Sequence, residues 1–324
     1  MPLDLSDTLV VGISATALFD LSDADALFRA ALDDPDTAIA SYRDHMLARE
    51  NTPLEPGTGF PLVKALLNLN SSQTNGASPL VEIVVMSRNS PDSGLGILHS
   101  IRHHNLAITR SAFTGGESVV PYLRAFDVDL FLTTEASDAQ AVIDGDGAAA
   151  VLSSPPSGAA RHRHDQVRIA FDGDAVLFGD DSEIVFKTQG LERFHAHEDA
   201  AKDEPLNYGP YAAFLKKLAR LQERLPGRME WSPVRVALVT ARNSPAEIRA
   251  IKTLRSWGVY ADEAFFLGGV EKTQVLEAFQ PHIFFDDQHV HLDKAKTVVP
   301  SALVPHRSDS PLRAVDGLRT VDDQ

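Results

Sequence analysis

Residues 166–178 read Gln-Val-Arg-Ile-Ala-Phe-Asp-Gly-Asp-Ala-Val-Leu-Phe, and this stretch decides the predicted fold. Its first part, up to Phe171, is apolar and rich in β-branched residues, which is typical of a buried strand. The strand runs into Asp172 and Asp174, with Gly173 between them allowing a tight turn. Two carboxylates at the end of a buried strand are costly unless a charged group meets them. Because ligands of open α/β sheets bind at this edge, we expect a cation or a phosphoryl group there.

Length and charge limit the classes of protein that this chain can be. It has 324 residues, 45 acids against 30 bases, a formal net charge of −15 and no cysteine. The length suggests about two domains. The acidic balance argues against nucleic-acid and anionic-membrane partners. No apolar run approaches the roughly 18 to 20 residues of a membrane span, and the N-terminus lacks a basic signal-peptide region. We therefore predict a cytoplasmic protein without a membrane or nucleic-acid partner.

Short landmarks recur in the same order in the two halves of the chain. The matching segments are Arg88-Asn89-Ser90-Pro91 with Arg242-Asn243-Ser244-Pro245, Phe113-Thr114-Gly115-Gly116 with Phe266-Leu267-Gly268-Gly269, and Leu123-Arg124-Ala125-Phe126 with Leu276-Glu277-Ala278-Phe279. Paired positions differ by 153 or 154 in residue number. A constant spacing of this kind predicts an internal duplication of an α/β unit. The alternative is two independent α/β units with similar loops.

The charged candidates belong to the second half alone. Where the second half has acids and a lysine, the first half has Ser14, Thr16, Val119, Thr133 and Thr134. We therefore interpret residues 1–152 as a degenerate Rossmann-like half that serves as scaffold, substrate lining or interface. Residues 153–164 are predicted to be a linker, and residues 165–306 the catalytic half. An insert at about 179–233 would cap the site, and a polar tail would cover 307–324.

Parallel strands joined by right-handed crossovers bring their carboxyl ends to one edge. In the second half this predicts that five polar groups converge on Asp172, namely Asp174, Thr240, Lys272, Asp286 and Asp287. Carboxylates, a hydroxyl and an ammonium suit magnesium-assisted phosphoryl transfer. Asp172 could attack phosphorus, and Asp174 could act as general acid and base. Thr240 and Lys272 could hold the phosphoryl oxygens, while all four aspartates are candidate metal ligands.

Some of these roles have simpler alternatives. Substrate-binding candidates extend beyond the catalytic group and comprise Thr240, Ala241, Arg242, Asn243 and Lys272. Arg242 and Asn243 recur in the first half, so a role in shaping the turn is at least as consistent with the sequence as substrate binding. Thr240 could cap the following helix, and Lys252 competes with Lys272. A zinc site at His289 and His291 is the weaker metal hypothesis.

These residues resemble a known superfamily. Asp172-Gly-Asp, Thr240, Lys272 and Asp286-Asp287 match the four motifs of the haloacid dehalogenase-like (HAD) phosphohydrolases. Longer strings are similar to the cytosolic 5′-nucleotidase I family, namely Ile13–Asp20, Gly59–Leu66, Leu254–Gly258 and Pro281–Gln288. The resemblance covers about residues 9 to 306. It implies a HAD-like Rossmannoid parallel sheet with a cap insert, preceded by a degenerate half.

The resemblance also implies an activity. It is the Mg²⁺-dependent hydrolysis of nucleoside 5′-monophosphates, AMP foremost, through an aspartyl-phosphate on Asp172. On the same resemblance Asp174 is the acid/base, Thr240 and Lys272 bind phosphate, and the Asp286-Asp287 pair lies at the metal position. We also expect a homo-oligomer. Two alternatives stay open, a HAD-type phosphatase of another small phosphate ester and a non-enzymatic nucleotide-sensing module.

Overall fold

A computed structural model describes residues 5–31, 33–72, 78–155, 166–225 and 232–314. The chain forms two compact units, Met1–Asp138 and Ala139–Gln324. Most of the predicted linker 153–164, and the predicted tail beyond residue 314, lie outside the described residues. Among the helices that the structure describes, none combines the length and the apolar character needed to cross a membrane.

The first unit is a parallel sheet with helical connections. Its strands run in the order β3-β2-β1-β4, and each neighbouring pair is parallel. In chain order its elements are β1 (Leu9–Ile13), α1 (Ala15–Leu18), α2 (Ser22–Ala30), α3 (Pro35–Ala48), α4 (Phe60–Asn68), β2 (Val81–Ser87), α5 (Leu95–His103), β3 (Arg110–Phe113) and β4 (Leu130–Thr133). Helix α6 (Ala136–Asp144) begins in this unit and ends in the next.

The second unit has the strand order β5-β10-β9-β6-β7-β8. Only the pairing of β10 with β5 is antiparallel among the pairs described within this unit. Its elements are β5 (Ala148–Leu152), β6 (Val167–Phe171), α7 (Asp181–Gln189), α8 (Leu191–Ala200), α9 (Ala212–Arg224), β7 (Val234–Thr240), α10 (Glu247–Ser256), β8 (Glu263–Phe266), α11 (Thr273–Phe279), β9 (Ile283–Asp286), α12 (His289–Ala295) and β10 (Ser301–Leu303). The predicted α/β class with a mostly parallel sheet is confirmed.

Burial on both faces explains why the central strands are mostly apolar rather than alternating in polarity. Every residue of β6 and of β9 is buried, as expected for parallel strands that are covered on both faces. Phe171 and Phe285 stack with ring centroids 5.4 Å apart, and Tyr211 of the connection packs 4.9 Å from Phe285. Full burial of a large apolar side chain stabilises by about 1.5 to 3 kcal/mol. This packing fixes the ends of β6 and β9 side by side.

The two units share their connectivity. In the first unit β1 lies between β2 and β4, and in the second unit β6 lies between β7 and β9. Helices fill the connection from β1 to β2 and the one from β6 to β7. An isolated antiparallel bridge follows β1, between Phe19 and Pro56, and another follows β6, between Phe178 and Tyr208. Gly57 follows Pro56, and Gly209 follows Tyr208. Each of these glycines donates its N–H to a carbonyl oxygen 2.9 Å away, in the turn after β1 or after β6.

Candidate functional site

Three buried carboxylates meet at the carboxyl ends of β6 and β9. Asp172 directly follows β6, Asp286 is the last residue of β9, and Asp287 comes next. The Asp172 N–H donates to the Phe285 carbonyl at 2.8 Å, which ties the two strand ends together. One oxygen of each carboxylate lies within 4.8 Å of the others. We call Asp172, Asp286 and Asp287 the acidic group.

Lys272 supplies one positive charge to this group. Its Nζ lies 2.9 Å from Asp172 Oδ1 and 2.7 Å from Asp286 Oδ2, and its side chain is 3% exposed. Burial alone would lower the pKa of Lys272, but the two carboxylates outweigh it and raise that pKa. Burial, opposed only in part by Lys272, raises the pKa of Asp172 and of Asp286. One ammonium therefore leaves the acidic group with excess negative charge.

Asp287 is the clearest sign that the group is suited to a metal ion. Within the described part of the chain neither of its carboxylate oxygens accepts a hydrogen bond, although both are buried. His306 Nε2 lies 3.6 Å from Oδ2. Burial, and then the charges of Asp286 and Asp172, raise the pKa of Asp287 well above its ordinary value. Buried carboxylate oxygens without donors are what an oxygen-liganded cation needs, so the donor set fits a hard divalent ion.

The turn after β6 points Asp174 away from the acidic group. Residues 173–177 form a distorted turn in which Asp174 has extended backbone angles and Ala175 has a φ of 59°. The Phe178 N–H closes the turn on the Gly173 carbonyl at 2.9 Å. Left-handed backbone is unusual for alanine and costs energy, so the surrounding packing must hold it. The result is that Asp172 and Asp174, two positions apart in the sequence, face different partners.

Asp174 is paired with Arg242 rather than with the acidic group. Arg242 Nε lies 2.8 Å from Asp174 Oδ2, and Nη2 lies 2.6 Å from Oδ1. The guanidinium carbon also lies 5.7 Å from the centre of the Phe178 ring and 5.5 Å from that of Phe194. Burial raises the pKa of Asp174, and Arg242 opposes that shift. The metal-ligand and acid/base roles of Asp174 stay predictions.

The remaining predicted residues lie along the end of β7. Thr240 is the last residue of β7 and is buried, and its Oγ1 accepts from the Arg242 N–H at 3.3 Å. A side-chain carbon at Gly173 would come within 3.1 Å of that hydroxyl, so the absence of one lets Thr240 approach the turn. Asn243 Oδ1 pairs with His195 Nε2 at 2.8 Å, and Ala241 is exposed.

Comparison with known proteins identifies the family. The sequence profile of the 5′-nucleotidase family matches residues 1–311. This chain belongs to the 5′-nucleotidase family. The family resemblance inferred from the sequence motifs is thereby confirmed, and the family name describes the hydrolysis of a phosphoric monoester.

A curated relative supports the same assignment. The chain is 34% identical to human cytosolic 5′-nucleotidase 1B over 296 residues, which make up 90% of this chain and 47% of that protein. The chain therefore spans about half the length of the curated relative that it matches. No solved structure was found to match it.

Several charged groups of this 5′-nucleotidase-family site escaped the sequence analysis. Glu183 of α7 lies beside Lys187, with 3.5 Å between Oε1 and Nζ, and accepts from Gln288 Nε2 at 3.2 Å. Burial, and then the charge of Asp174, raise the pKa of Glu183 to about 7. Glu198 of α8, which pairs with Arg242, was missed as well. No local motif marks these helical residues, so only the packing of the helices places them here.

The histidines do not join the metal-ligand cluster. The acidic group found among the described residues contains carboxylates only, and His289 is exposed. Burial, and then the nearby charge of Lys272, lower the pKa of His291 to about 4. These observations give no support to the zinc hypothesis.

Proposed function

We propose that this chain is a Mg²⁺-dependent 5′-nucleotidase that converts nucleoside 5′-monophosphates, AMP foremost, to nucleoside and phosphate. The observation that carries the proposal is the acidic group with Lys272 inserted between Asp172 and Asp286. Family membership and the printed name of the human relative, a cytosolic 5′-nucleotidase, support it. From the printed name of the human relative we propose that the protein is cytoplasmic. We also propose that it assembles with a second copy of itself.

The acidic group would hold the metal. Asp172, Asp286 and Asp287 offer carboxylate oxygens, the ligands that Mg²⁺ prefers, and a two-charge cation would offset their mutual repulsion. When bound, Mg²⁺ would reduce the repulsion between a carboxylate nucleophile and a phosphate dianion. The ammonium of Lys272 would keep a positive charge beside Asp172 when the negatively charged substrate enters.

The chemistry would proceed in two steps on the protein's own side chains. A carboxylate oxygen of Asp172 bonds to phosphorus, the bond from phosphorus to the 5′ oxygen breaks, and that oxygen takes a proton from Asp174. Asp174 then accepts a proton from water, the hydroxide attacks phosphorus, and the bond to Asp172 breaks to release phosphate. Lys272 and the Thr240 hydroxyl hold the phosphoryl oxygens as charge builds on them.

We further propose that the second unit is a HAD-like domain whose helices α7 to α9 form the cap. The first unit would be a degenerate copy of it. The shared strand order, the two isolated bridges and the two glycine hydrogen bonds that follow them support the duplication. Ser14, Thr16 and Thr134 link their hydroxyls at the matching strand ends of the first unit, where no carboxylate stands in the sequence.

Phosphate release from a nucleotide panel, with and without Mg²⁺, tests the proposal. Asp172→Asn should lower release from AMP by about three orders of magnitude or more, because the nucleophile is lost. Asp146→Asn is the matched control, since Asp146 belongs to the other Asp-Gly-Asp of the chain and its side chain is 85% exposed. Undiminished turnover by Asp172→Asn would refute the mechanism.

The same panel separates the alternatives. Nucleoside 5′-monophosphates should exceed sugar phosphates and other small esters by orders of magnitude in kcat/KM. Preference for a non-nucleotide ester would instead indicate another phosphatase. Nucleotide binding without any phosphate release would indicate a sensing module.

A further inference from the structure

A buried network of charges joins the helices after β6 to the end of β7. Glu198 of α8 accepts hydrogen bonds from Ser182 Oγ at 2.8 Å, from Arg249 Nη1 at 2.9 Å, and from Arg242 Nη1. Arg242 in turn donates hydrogen bonds to Asp174 from its other two nitrogens, Nε and Nη2. We call Asp174, Arg242, Glu198 and Arg249 the arginine network.

The side-chain charges of the network balance, and the network is almost fully buried. It contains two carboxylates and two guanidinium groups, and the side chains of Glu198 and Arg242 are 0% and 1% exposed. All three nitrogens of the Arg242 fork are committed, two to Asp174 and one to Glu198. Because guanidinium is planar and rigid, the direction of its bond to Glu198 fixes the direction in which it faces Asp174.

The first unit shows that the shared turn does not impose this arrangement. Arg88, which corresponds to Arg242, also makes a bidentate ion pair, but with Asp138. Its Nε lies 3.0 Å from Oδ2 and its Nη2 lies 2.6 Å from Oδ1. Its side chain is 41% exposed. The residue corresponding to Asp174 there is Thr16, whose hydroxyl bonds with Ser14 and Thr134. An ion pair between this arginine and the acid after β6, Arg242 with Asp174, is therefore specific to the second unit, which keeps the acids.

We infer that Glu198 is a positioning residue that acts through Arg242 to hold the Asp174 side chain in place for its part as general acid toward the leaving oxygen. The inference rests on the proposed function. It gives the helices after β6 an indirect part in the reaction, since Glu198 and Ser182 belong to them. A bridge that only stabilised the fold would affect all substrates equally, whereas a bridge that positions the acid matters only where the leaving group needs a proton.

The leaving group therefore supplies the test. AMP is compared with its analogue in which sulfur replaces the bridging 5′ oxygen, so that the nucleoside is retained but a thiolate departs without protonation. The kcat/KM value reports the steps up to phosphoryl transfer. For Glu198→Gln we expect kcat/KM on AMP to fall about tenfold to a hundredfold, since general acid catalysis contributes about 10² to 10⁴. The sulfur analogue should lose about threefold or less.

Matched variants separate positioning from stability. Asp199→Asn removes a charge from the next residue of the same helix, where Asp199 forms an exposed pair with Lys202, and should leave both values unchanged. Should Glu198→Gln not fold because one arginine charge is left unbalanced, the double variant Glu198→Gln/Arg249→Gln, which keeps the network neutral, is measured instead. Equal loss on both substrates, in whichever of the two variants folds, would overturn the inference. Wild-type protein that hydrolyses neither substrate would overturn the proposed function itself.

Discussion

At the scale of the residue, the ionisation of Glu183 should be visible in the stability of the protein. It lies on α7 with a side chain that is 12% exposed, and burial followed by the charge of Asp174 raises its pKa to about 7. A carboxyl whose pKa rises on folding stabilises the folded state fully below its unfolded pKa. That contribution is lost as the pH rises through about 7, the folded value.

Glu183→Gln should therefore flatten the pH dependence of unfolding. Between about pH 5 and about pH 8 the wild type should lose roughly 2 to 3 kcal/mol more of its free energy of unfolding than the variant. Denaturant unfolding in the presence of a chelator measures it, so that no bound cation shifts the balance. Glu192→Gln, at an exposed position on α8, is the control. Parallel curves for Glu183→Gln and wild type would contradict the expectation.

At the scale of elements, the connection that returns toward β7 depends on a glycine beneath the turn after β6. A side-chain carbon at Gly209 would lie 2.5 Å from the Val176 carbonyl oxygen and closer still to that of Phe178. The corresponding glycine of the first unit, Gly57, is less crowded, with its nearest backbone oxygen, that of Ala17, at 2.9 Å. Backbone oxygens cannot turn aside as a flexible side chain can, so the crowding strains the whole turn.

Gly209→Ala should destabilise the protein by about 2 kcal/mol or more, and by more than Gly57→Ala does. Gly145→Ala is the control, because a carbon there would stand 3.4 Å or more from its neighbours. Thermal midpoints of the three variants give the comparison. Equal midpoints for Gly209→Ala and Gly145→Ala would show that the turn relaxes without cost.

At the scale of the whole molecule, three of the chain's carboxylates are buried together in one costly place, the acidic group. Three buried carboxylates face one ammonium, and burial raises the pKa of each of them. A ligand that binds only the folded state adds to its stability, by about 2.7 kcal/mol at a hundred times its Kd. A divalent cation should therefore stabilise the folded chain as a whole, independently of any substrate.

Mg²⁺ should raise the thermal midpoint of the wild type above its value in chelator, while sodium chloride of equal ionic strength should not. Asp287→Asn should be about as stable as the wild type in chelator, because the oxygens of Asp287 accept no hydrogen bond from the described residues. It should gain little from Mg²⁺. A midpoint shift that survives in Asp287→Asn would place the cation elsewhere.

Part of the site was predictable from the sequence because its acids lie at the ends of strands. Asp172, Asp286 and Asp287 each follow an apolar run, and parallel connections bring the ends of such runs to one edge. Lys272 was placed near them by its position before α11. Glu198 carried no such signal, because its role depends on where α8 packs.

The sequence by itself determined the apolar strands that carry the site, the acids and the lysine near their ends, the α/β class and the family, because these are written in short runs of consecutive residues. Only the tertiary structure decided which charged side chains form ion pairs with each other. It placed Lys272 between Asp172 and Asp286, and it paired Asp174 with Arg242 instead. The reason is physical, since the attraction between two charges depends on their distance and on the water excluded around them. Both are set by the docking of elements that lie far apart in the chain.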